Sequence, residues 1–174
     1  DPALDRGIAM GYLLVNNGRL MEAIQHFNGL LQQHPTLVGA LLGRGSAFAM
    51  TQNFGPAVKD FTDAIKADRT CTDAYKRRGQ TLLALGRVRD ALDDLNRAVE
   101  LAKDDADGYR QRGIAYHTAG QFERAAKDFA TANRLQPGNP ETLHDYAMAL
   151  NGQGLCDEAL DFYSKAINAR ADYF

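Results

Sequence analysis

The stretch Tyr109–Pro137, which reads YRQRGIAYHTAGQFERAAKDFATANRLQP, determines how the rest of the chain is interpreted. It contains two helical patterns, and Gly120 separates them. Small and large residues alternate along both patterns at helical spacing, at Gly113, Tyr116, Ala125, Phe129, Ala132 and Pro137. This order predicts two helices that approach each other through small residues and fill the remaining space with large ones.

The pattern recurs at a fixed interval of 34 residues, the distance from Gly79 to Gly113. The corresponding positions are Gly11, Leu14, Ala23 and Phe27; Gly45, Phe48, Ala57 and Phe61; Gly79, Leu82, Ala91 and Leu95; and Ala147, Leu150, Ala159 and Tyr163. Five copies without an insertion cover residues 4–37, 38–71, 72–105, 106–139 and 140–173. Such a period is typical of a solenoid, in which each repeat packs on its neighbours.

The period, the order of small and large residues and the helix-ending Pro35 and Pro137 resemble the tetratricopeptide repeat family. The resemblance implies an all-α, right-handed superhelical solenoid of five helix-turn-helix repeats with a concave groove. It also implies a module that binds proteins or peptides and is not an enzyme. Departures from the family pattern are Gly7 and Leu41 at a position that is usually aromatic, and Arg69, Lys103 and Ala171 at the proline position.

The periodicity and the turn residues predict ten helices in one domain spanning residues 1–174. They are Ala3–Asn16, Leu20–Gln33, Leu37–Met50, Phe54–Ala67, Thr72–Ala84, Val88–Ala102, Ala106–Thr118, Phe122–Leu135, Pro140–Gly152 and Cys156–Arg170. The chain opens in phase with the repeat, and only Asp172, Tyr173 and Phe174 follow the last helix. We therefore expect a piece of a longer protein, in which further repeats or another copy cover the last helix.

Charge and cysteine content limit the classes of partner. The net charge is −2 and the isoelectric point is about 6.1, which predicts neither nucleic acid nor a membrane surface as the ligand. Cys71 and Cys156 lie in different repeats and predict no disulfide framework. A cytoplasmic or nuclear location is the matching expectation.

Catalytic and cofactor motifs are missing from the sequence. The two serines, Ser46 and Ser164, lie in different repeats, and the four histidines have no metal-ligand spacing. There is no glycine-rich phosphate loop. The sequence predicts a protein without enzymatic activity and without a cofactor.

A second periodic signature involves charged residues in the middle repeats. Arg44, Arg78 and Arg112 precede the repeat glycines, and Asp60, Asp94 and Asp128 follow sixteen residues after each arginine. Repeat one has Met10 and His26 at these positions, and repeat five has Tyr146 and Phe162. Because the two members are present or absent together, we expect ion pairs between the helices of each middle repeat.

The resemblance places a ligand on the first helices, in the concave groove. The candidate residues are Ile8, Tyr12, Leu42, Ser46, Lys76, Arg77, Gln80, Arg110, Ile114, His117 and His144. They suit a peptide with apolar anchors and a central acidic residue, which would face the basic side chains of Lys76, Arg77 and Arg110. The alternative is that the apolar residues pack on neighbouring helices and that the charges form a solvated face.

A chaperone C-terminal carboxylate clamp, which some family members carry, is excluded in every register. That clamp needs lysine, asparagine and arginine at set groove positions, whereas no register here has more than one match. Asp73 and Glu141 also occupy clamp positions, and an acidic side chain would repel the ligand carboxylate.

Two other functions stay open at this point. The chain could associate with itself through its ends or its convex face, or it could be the accessory domain of an enzyme whose catalytic part is absent. A narrower similarity, at Ile8–Phe27 and Lys76–Gln80, is to large multi-repeat scaffold proteins of plants and animals, whose plant members regulate immune responses.

Overall fold

The computed structural model describes residues 1–171, which form ten α-helices and include no strand. In chain order they are α1 (Pro2–Asn16), α2 (Leu20–Gln33), α3 (Val38–Met50), α4 (Phe54–Ala67), α5 (Thr72–Ala84), α6 (Val88–Leu101), α7 (Ala106–Thr118), α8 (Phe122–Leu135), α9 (Pro140–Gly152) and α10 (Cys156–Ala171). The all-α prediction is confirmed. Asp172, Tyr173 and Phe174 lie outside the described residues.

The predicted helix bounds agree with the structure to within one residue. Helix α3 begins at Val38 because Leu37 is its N-cap, with extended dihedral angles of −69° and 98°. Helix α6 ends at Leu101, one residue before the predicted end. Helices α1 and α10 each extend one residue further than predicted, to Pro2 and Ala171.

The turn inside each repeat has the same backbone conformation in all five copies. A residue with positive φ lies at intervals of 34 positions, at Gly18 (73°), Gln52 (60°), Gly86 (72°), Gly120 (71°) and Gly154 (81°). The next amide then donates to a carbonyl in the last turn of the first helix, as from Arg19 N to Leu14 O at 2.9 Å. This closure ends the first helix and reverses the chain within three residues.

The helices form two compact units, Asp1–Arg87 and Val88 onward, so the division lies inside the third repeat. In each unit the two helices of a repeat meet where the repeat glycine faces an aromatic ring. A Cβ atom at Gly45 would lie 2.6 Å from Phe61 Cε1, and one at Gly113 would lie 2.7 Å from Phe129 Cε1. Both distances are shorter than a van der Waals contact, so these positions admit no larger side chain without movement.

Two of the three predicted ion pairs are present and buried. Arg44 donates from Nε and Nη2 to the two carboxylate oxygens of Asp60 at 2.8 and 2.7 Å. Arg112 binds Asp128 in the same bidentate manner at 2.7 and 2.8 Å. Arg78 and Asp94 belong to different units, and their pairing stays a prediction.

Candidate functional site

The first helices of the first unit bring three predicted site residues together. Arg77 on α5 donates from Nη1 to Ser46 Oγ on α3 at 2.7 Å. Ser46 Oγ in turn donates to Leu42 O, one turn earlier in α3, at 2.8 Å. On α1, Tyr12 donates its hydroxyl hydrogen to Gly39 O of α3 at 3.3 Å. These contacts join α1, α3 and α5 through their polar side chains.

The surroundings of Tyr12 keep its hydroxyl protonated. Burial raises the pKa of Tyr12 above its usual value, because phenolate is poorly solvated there. Arg77 opposes this shift, while Asp73 and Cys71 add to it. Tyr12 is therefore a neutral hydrogen-bond donor in this surface at ordinary pH.

The other predicted residues of the first unit differ widely in exposure. Leu42 is only 8% exposed and belongs to the apolar core, whereas Gln80 is exposed. Ile8 is partly buried, and its Cδ1 would lie 3.0 Å from a Cβ atom at Gly39. Lys76 Nζ lies 3.3 Å from Asp73 Oδ1. Of these four residues, Gln80 is the exposed one, and the side chain of Lys76 is 13% exposed.

In the second unit, the predicted residues lie around an arginine that is already paired. Arg110 on α7 donates from Nε to Asp145 Oδ2 on α9 at 2.8 Å, and both side chains are largely buried. His144 Nδ1 lies 3.5 Å from the other oxygen of Asp145. The positive charge of Arg110 is thus balanced within the protein.

Two cavities occur beside these second-unit residues. The larger, about 480 Å³, is lined by Arg110, Pro140, Glu141, His144, Asp145, Tyr163, Ala166, Ile167 and Arg170. The smaller, about 70 Å³, is lined by Ile114, His117, Phe129, Asp145 and Met148. The four predicted residues of this unit therefore fall into two groups, with Arg110 and His144 at one cavity and Ile114 and His117 at the other.

The repeat arginines also bind the preceding repeat, a contact that the sequence analysis did not predict. Nη1 of Arg44 donates to Asn28 Oδ1 at 2.7 Å, and Nη1 of Arg112 donates to Asn96 Oδ1 at 3.1 Å. Arg78 donates in the same way to Thr62 Oγ1 at 3.0 Å. Asn28, Thr62 and Asn96 lie sixteen residues before the arginines, just as the aspartates lie sixteen residues after them. This spacing could have revealed the contacts from the sequence.

The described part of the chain contains no cluster of three or more histidine, cysteine, aspartate or glutamate residues that could hold a metal ion. Cys71 and Cys156 are free thiols. Within the same residues, every helix is too short or too polar to cross a membrane.

The fold and the repeated contacts define a helix-turn-helix repeat protein. A family model for the tetratricopeptide repeat matches residues 8–70, 51–106, 76–140 and 110–173, and the chain belongs to this family. Proteins of this family are generally non-catalytic modules for protein–protein interaction.

Three relatives illustrate the range of similarity. Human tetratricopeptide repeat protein 13 is 46% identical over 41 residues, which are 24% of this chain and only 5% of that protein. MamA from Desulfovibrio magneticus RS-1 superposes with a TM-score of 0.83 at 20% identity, covering 97% of this chain and 95% of that one. YrrB, described as a tetratricopeptide repeat protein with an unusual peptide-binding site, superposes with a TM-score of 0.74 at 24% identity. The superposition covers 95% of this chain and 86% of YrrB. The two structures establish the fold alone.

Proposed function

We propose that this protein binds a peptide segment of a partner protein on the first helices of its first unit. The observation that carries the proposal is that hydrogen bonds link three successive first helices, with Arg77 of α5 donating to Ser46 of α3 and Tyr12 of α1 donating to Gly39 O of α3. A guanidinium has five N–H groups, so the bond to Ser46 leaves Arg77 able to donate to a ligand carboxylate. YrrB has a similar fold and a peptide-binding site, which supports a peptide as the class of ligand.

The chemistry of this surface favours a peptide with an acidic residue beside an apolar one. Lys76 and Arg77 are adjacent on α5, and Arg77 supplies most of the positive charge, because Asp73 lies 3.3 Å from Lys76. Ile8 and Tyr12 offer apolar surface on α1. Leu42 contributes less, because it is already buried. An acidic side chain would bind Arg77 in a bidentate manner, and an aliphatic or aromatic neighbour would pack on Ile8 and Tyr12.

Arg110, Ile114, His117 and His144 are proposed as a separate contact surface in the second unit. Since Asp145 balances Arg110, this surface offers little net positive charge. It would suit neutral or apolar ligand residues, with His144 as an exposed polar group at its rim. Binding there is expected to depend weakly on salt.

The test is capture of a partner from an extract of the source, with bound proteins identified by mass spectrometry. The Lys76→Glu, Arg77→Glu double variant reverses two charges on α5 and should lose the partner. Lys59→Glu with Lys66→Glu makes the same change of charge on the exposed face of α4 and should retain it. Circular dichroism checks that both variants keep their helices.

A synthetic peptide from the captured partner then gives the affinity by fluorescence anisotropy. We expect the α5 double variant to bind it at least about a hundredfold more weakly, because two charge contacts become repulsive. If both double variants capture and bind equally well, the ligand does not contact Lys76 and Arg77, and the proposal fails.

A further inference from the structure

The smaller cavity of the second unit lies between α7, α8 and α9 and reaches the apolar core. Its lining is Ile114 and His117 of α7, Phe129 of α8, and Asp145 and Met148 of α9. Phe129 is 1% exposed and belongs to the core of this unit, on which Ile114 packs. Met148 is 37% exposed, so this wall of the cavity faces solvent. The cavity is therefore a mainly apolar recess that a ligand side chain can enter.

At the equivalent place in the first repeat, the protein supplies a ring of its own. Tyr12 stands three repeats before Ile114, and Phe27 stands three repeats before Phe129. The rings of Tyr12 and Phe27 meet edge to face, with their centroids 5.8 Å apart. In the fourth repeat, Ile114 is shorter than tyrosine and the cavity lies beside Phe129. The second unit thus leaves open a place that the first repeat fills with its own side chain.

The volume of the cavity, about 70 Å³, limits which side chains it admits. A water molecule takes up about 30 Å³ of the liquid, so this volume suits roughly two waters or a branched aliphatic side chain of three or four carbon atoms. A dry cavity that takes up benzene has a volume of about 150 Å³, roughly twice as large. An aromatic side chain is therefore too large, whereas alanine would leave most of the lining without contacts.

The charges at this cavity favour an uncharged side chain. Asp145 Oδ2 accepts a hydrogen bond from Arg110 Nε at 2.8 Å, and both side chains are largely buried. Arg110 lines the larger cavity and not this one, so the lining here includes a carboxylate and no lysine or arginine. An acidic ligand group would be repelled by Asp145, and a basic one would compete with Arg110 for it. An aliphatic side chain is free of both costs and gains from leaving water.

Asp145 also offers a hydrogen-bond acceptor to the backbone of a ligand. Its second oxygen, Oδ1, lies 3.5 Å from His144 Nδ1, which is longer than an ordinary hydrogen bond. An ionised carboxylate accepts about four hydrogen bonds in total, so Asp145 keeps acceptor capacity beside its bond from Arg110. A polar group at the rim of an apolar pocket fixes the orientation of what enters it.

From these observations we infer that the smaller cavity binds a valine, isoleucine or leucine side chain of a partner peptide, with a backbone N–H of the peptide donating to Asp145. The inference rests on the second contact surface proposed above and assigns a ligand residue to it. The aliphatic side chain packs on Phe129 as the ring of Tyr12 packs on Phe27. Ile114 and Met148 contact its sides.

The test uses the full chain with isotope-labelled methyl groups of isoleucine and methionine, observed by NMR. The probes are the N-acetyl, N-methylamide derivatives of leucine, alanine and phenylalanine, which have a peptide N–H on each side of one side chain. We expect the leucine probe to shift the methyl signals of Ile114 and Met148 with a Kd on the order of 10 mM, because it buries one aliphatic side chain. The alanine and phenylalanine probes should bind at least about fivefold more weakly. Met50 in α3, which is 58% exposed, supplies a reference signal that should not move.

Two substitutions at position 114 change the size of the cavity in opposite directions. Ile114→Phe fills it with a ring and should abolish the shift of the Met148 signal by the leucine probe. Ile114→Ala removes three carbon atoms and should make the phenylalanine probe bind more tightly than the leucine probe. Ile65→Ala removes the same atoms from a partly buried position of α4 and should keep the preference for leucine. Circular dichroism checks that each variant keeps its helices.

Three results would overturn the inference. Equal binding of the three probes, or tightest binding of phenylalanine by the parent protein, would show that the cavity does not select an aliphatic side chain. An unchanged preference for leucine in Ile114→Ala would place the leucine probe elsewhere. Shifts of the Ile114 and Met148 signals with protein concentration alone would make a second copy the occupant. Partner capture through Lys76 and Arg77 is measured separately, so its failure is distinguishable from a failure of the leucine probe to bind.

Discussion

At the scale of single residues, the two helices of the first repeat differ in whether a glycine has room for a side chain. Gly11 in α1 lies so close to the Phe27 ring that a methyl group would overlap it. Gly29 in α2 has open space around the position of a Cβ atom. The sequence predicted the first contact because the small residue recurs with the repeat, whereas Gly29 has no glycine counterpart in the other copies.

Gly11→Ala is expected to lower the free energy of unfolding by about 1–3 kcal/mol, since the ring must move out of a packed interior. Gly29→Ala should raise it by about 0.5–1 kcal/mol, because alanine favours the helix and meets no neighbour. Urea unfolding followed by circular dichroism measures both. Changes of the same sign would contradict the packing described for Gly11.

At the scale of helix pairs, the two positions that hold a buried ion pair in repeat two hold a pair of aromatic residues in repeat five. Asp60 is 2% exposed and accepts two hydrogen bonds from Arg44. In repeat five, Tyr146 and Phe162 occupy the same positions with ring centroids 4.4 Å apart. A buried charge without its partner is costly, whereas an aromatic pair needs no counter-charge.

Arg44→Tyr should therefore lower the free energy of unfolding by about 3 kcal/mol, because it leaves Asp60 buried without its arginine. Adding Asp60→Phe should recover at least about 1 kcal/mol of that loss, since it restores the pair found in repeat five. Arg19→Met, which breaks the exposed pair with Glu22, should cost less than about 1 kcal/mol. If the Arg44→Tyr, Asp60→Phe double variant is less stable than Arg44→Tyr alone, an aromatic pair does not replace the ion pair in repeat two.

Sequence reasoning located the helices but only part of the site. The repeat and its turn residues defined all ten helices to within one residue, because period and turn chemistry are local properties of the chain. The pairing of Arg110 with Asp145 was missed, since it joins first helices of successive repeats and depends on which way both side chains turn. Likewise, the burial of Leu42 depends on the neighbouring helices.

At the scale of the whole molecule, stability is expected to vary along the chain, because each repeat of a solenoid depends on its neighbours. Helix α8 buries Ala125, Ala126, Asp128, Phe129 and Ala132. In α10, among the side chains that the structure describes, Ala159 and Ala166 are the buried ones. Helices α8 and α10 therefore differ in how strongly packing holds them.

Native-state hydrogen exchange should show this difference. We expect the amides of α10 to exchange at least about tenfold faster than those of α8, since opening α10 exposes little apolar surface. Mass spectrometry of peptic fragments resolves the two helices. Equal protection of α8 and α10 would show that the chain opens only as a whole.

The uniform turn inside the repeats bears on how this sequence can vary. Even Gln52 adopts the left-handed conformation that its four glycine counterparts adopt more readily, so the turn keeps its length at the expense of a less favoured residue. A residue added there and taken up by the next helix would rotate that helix by about 100° and turn its apolar side to water. We therefore expect substitutions in these turns to disturb the stacking less than single insertions, and the insertion of a complete repeat to keep every helix in register.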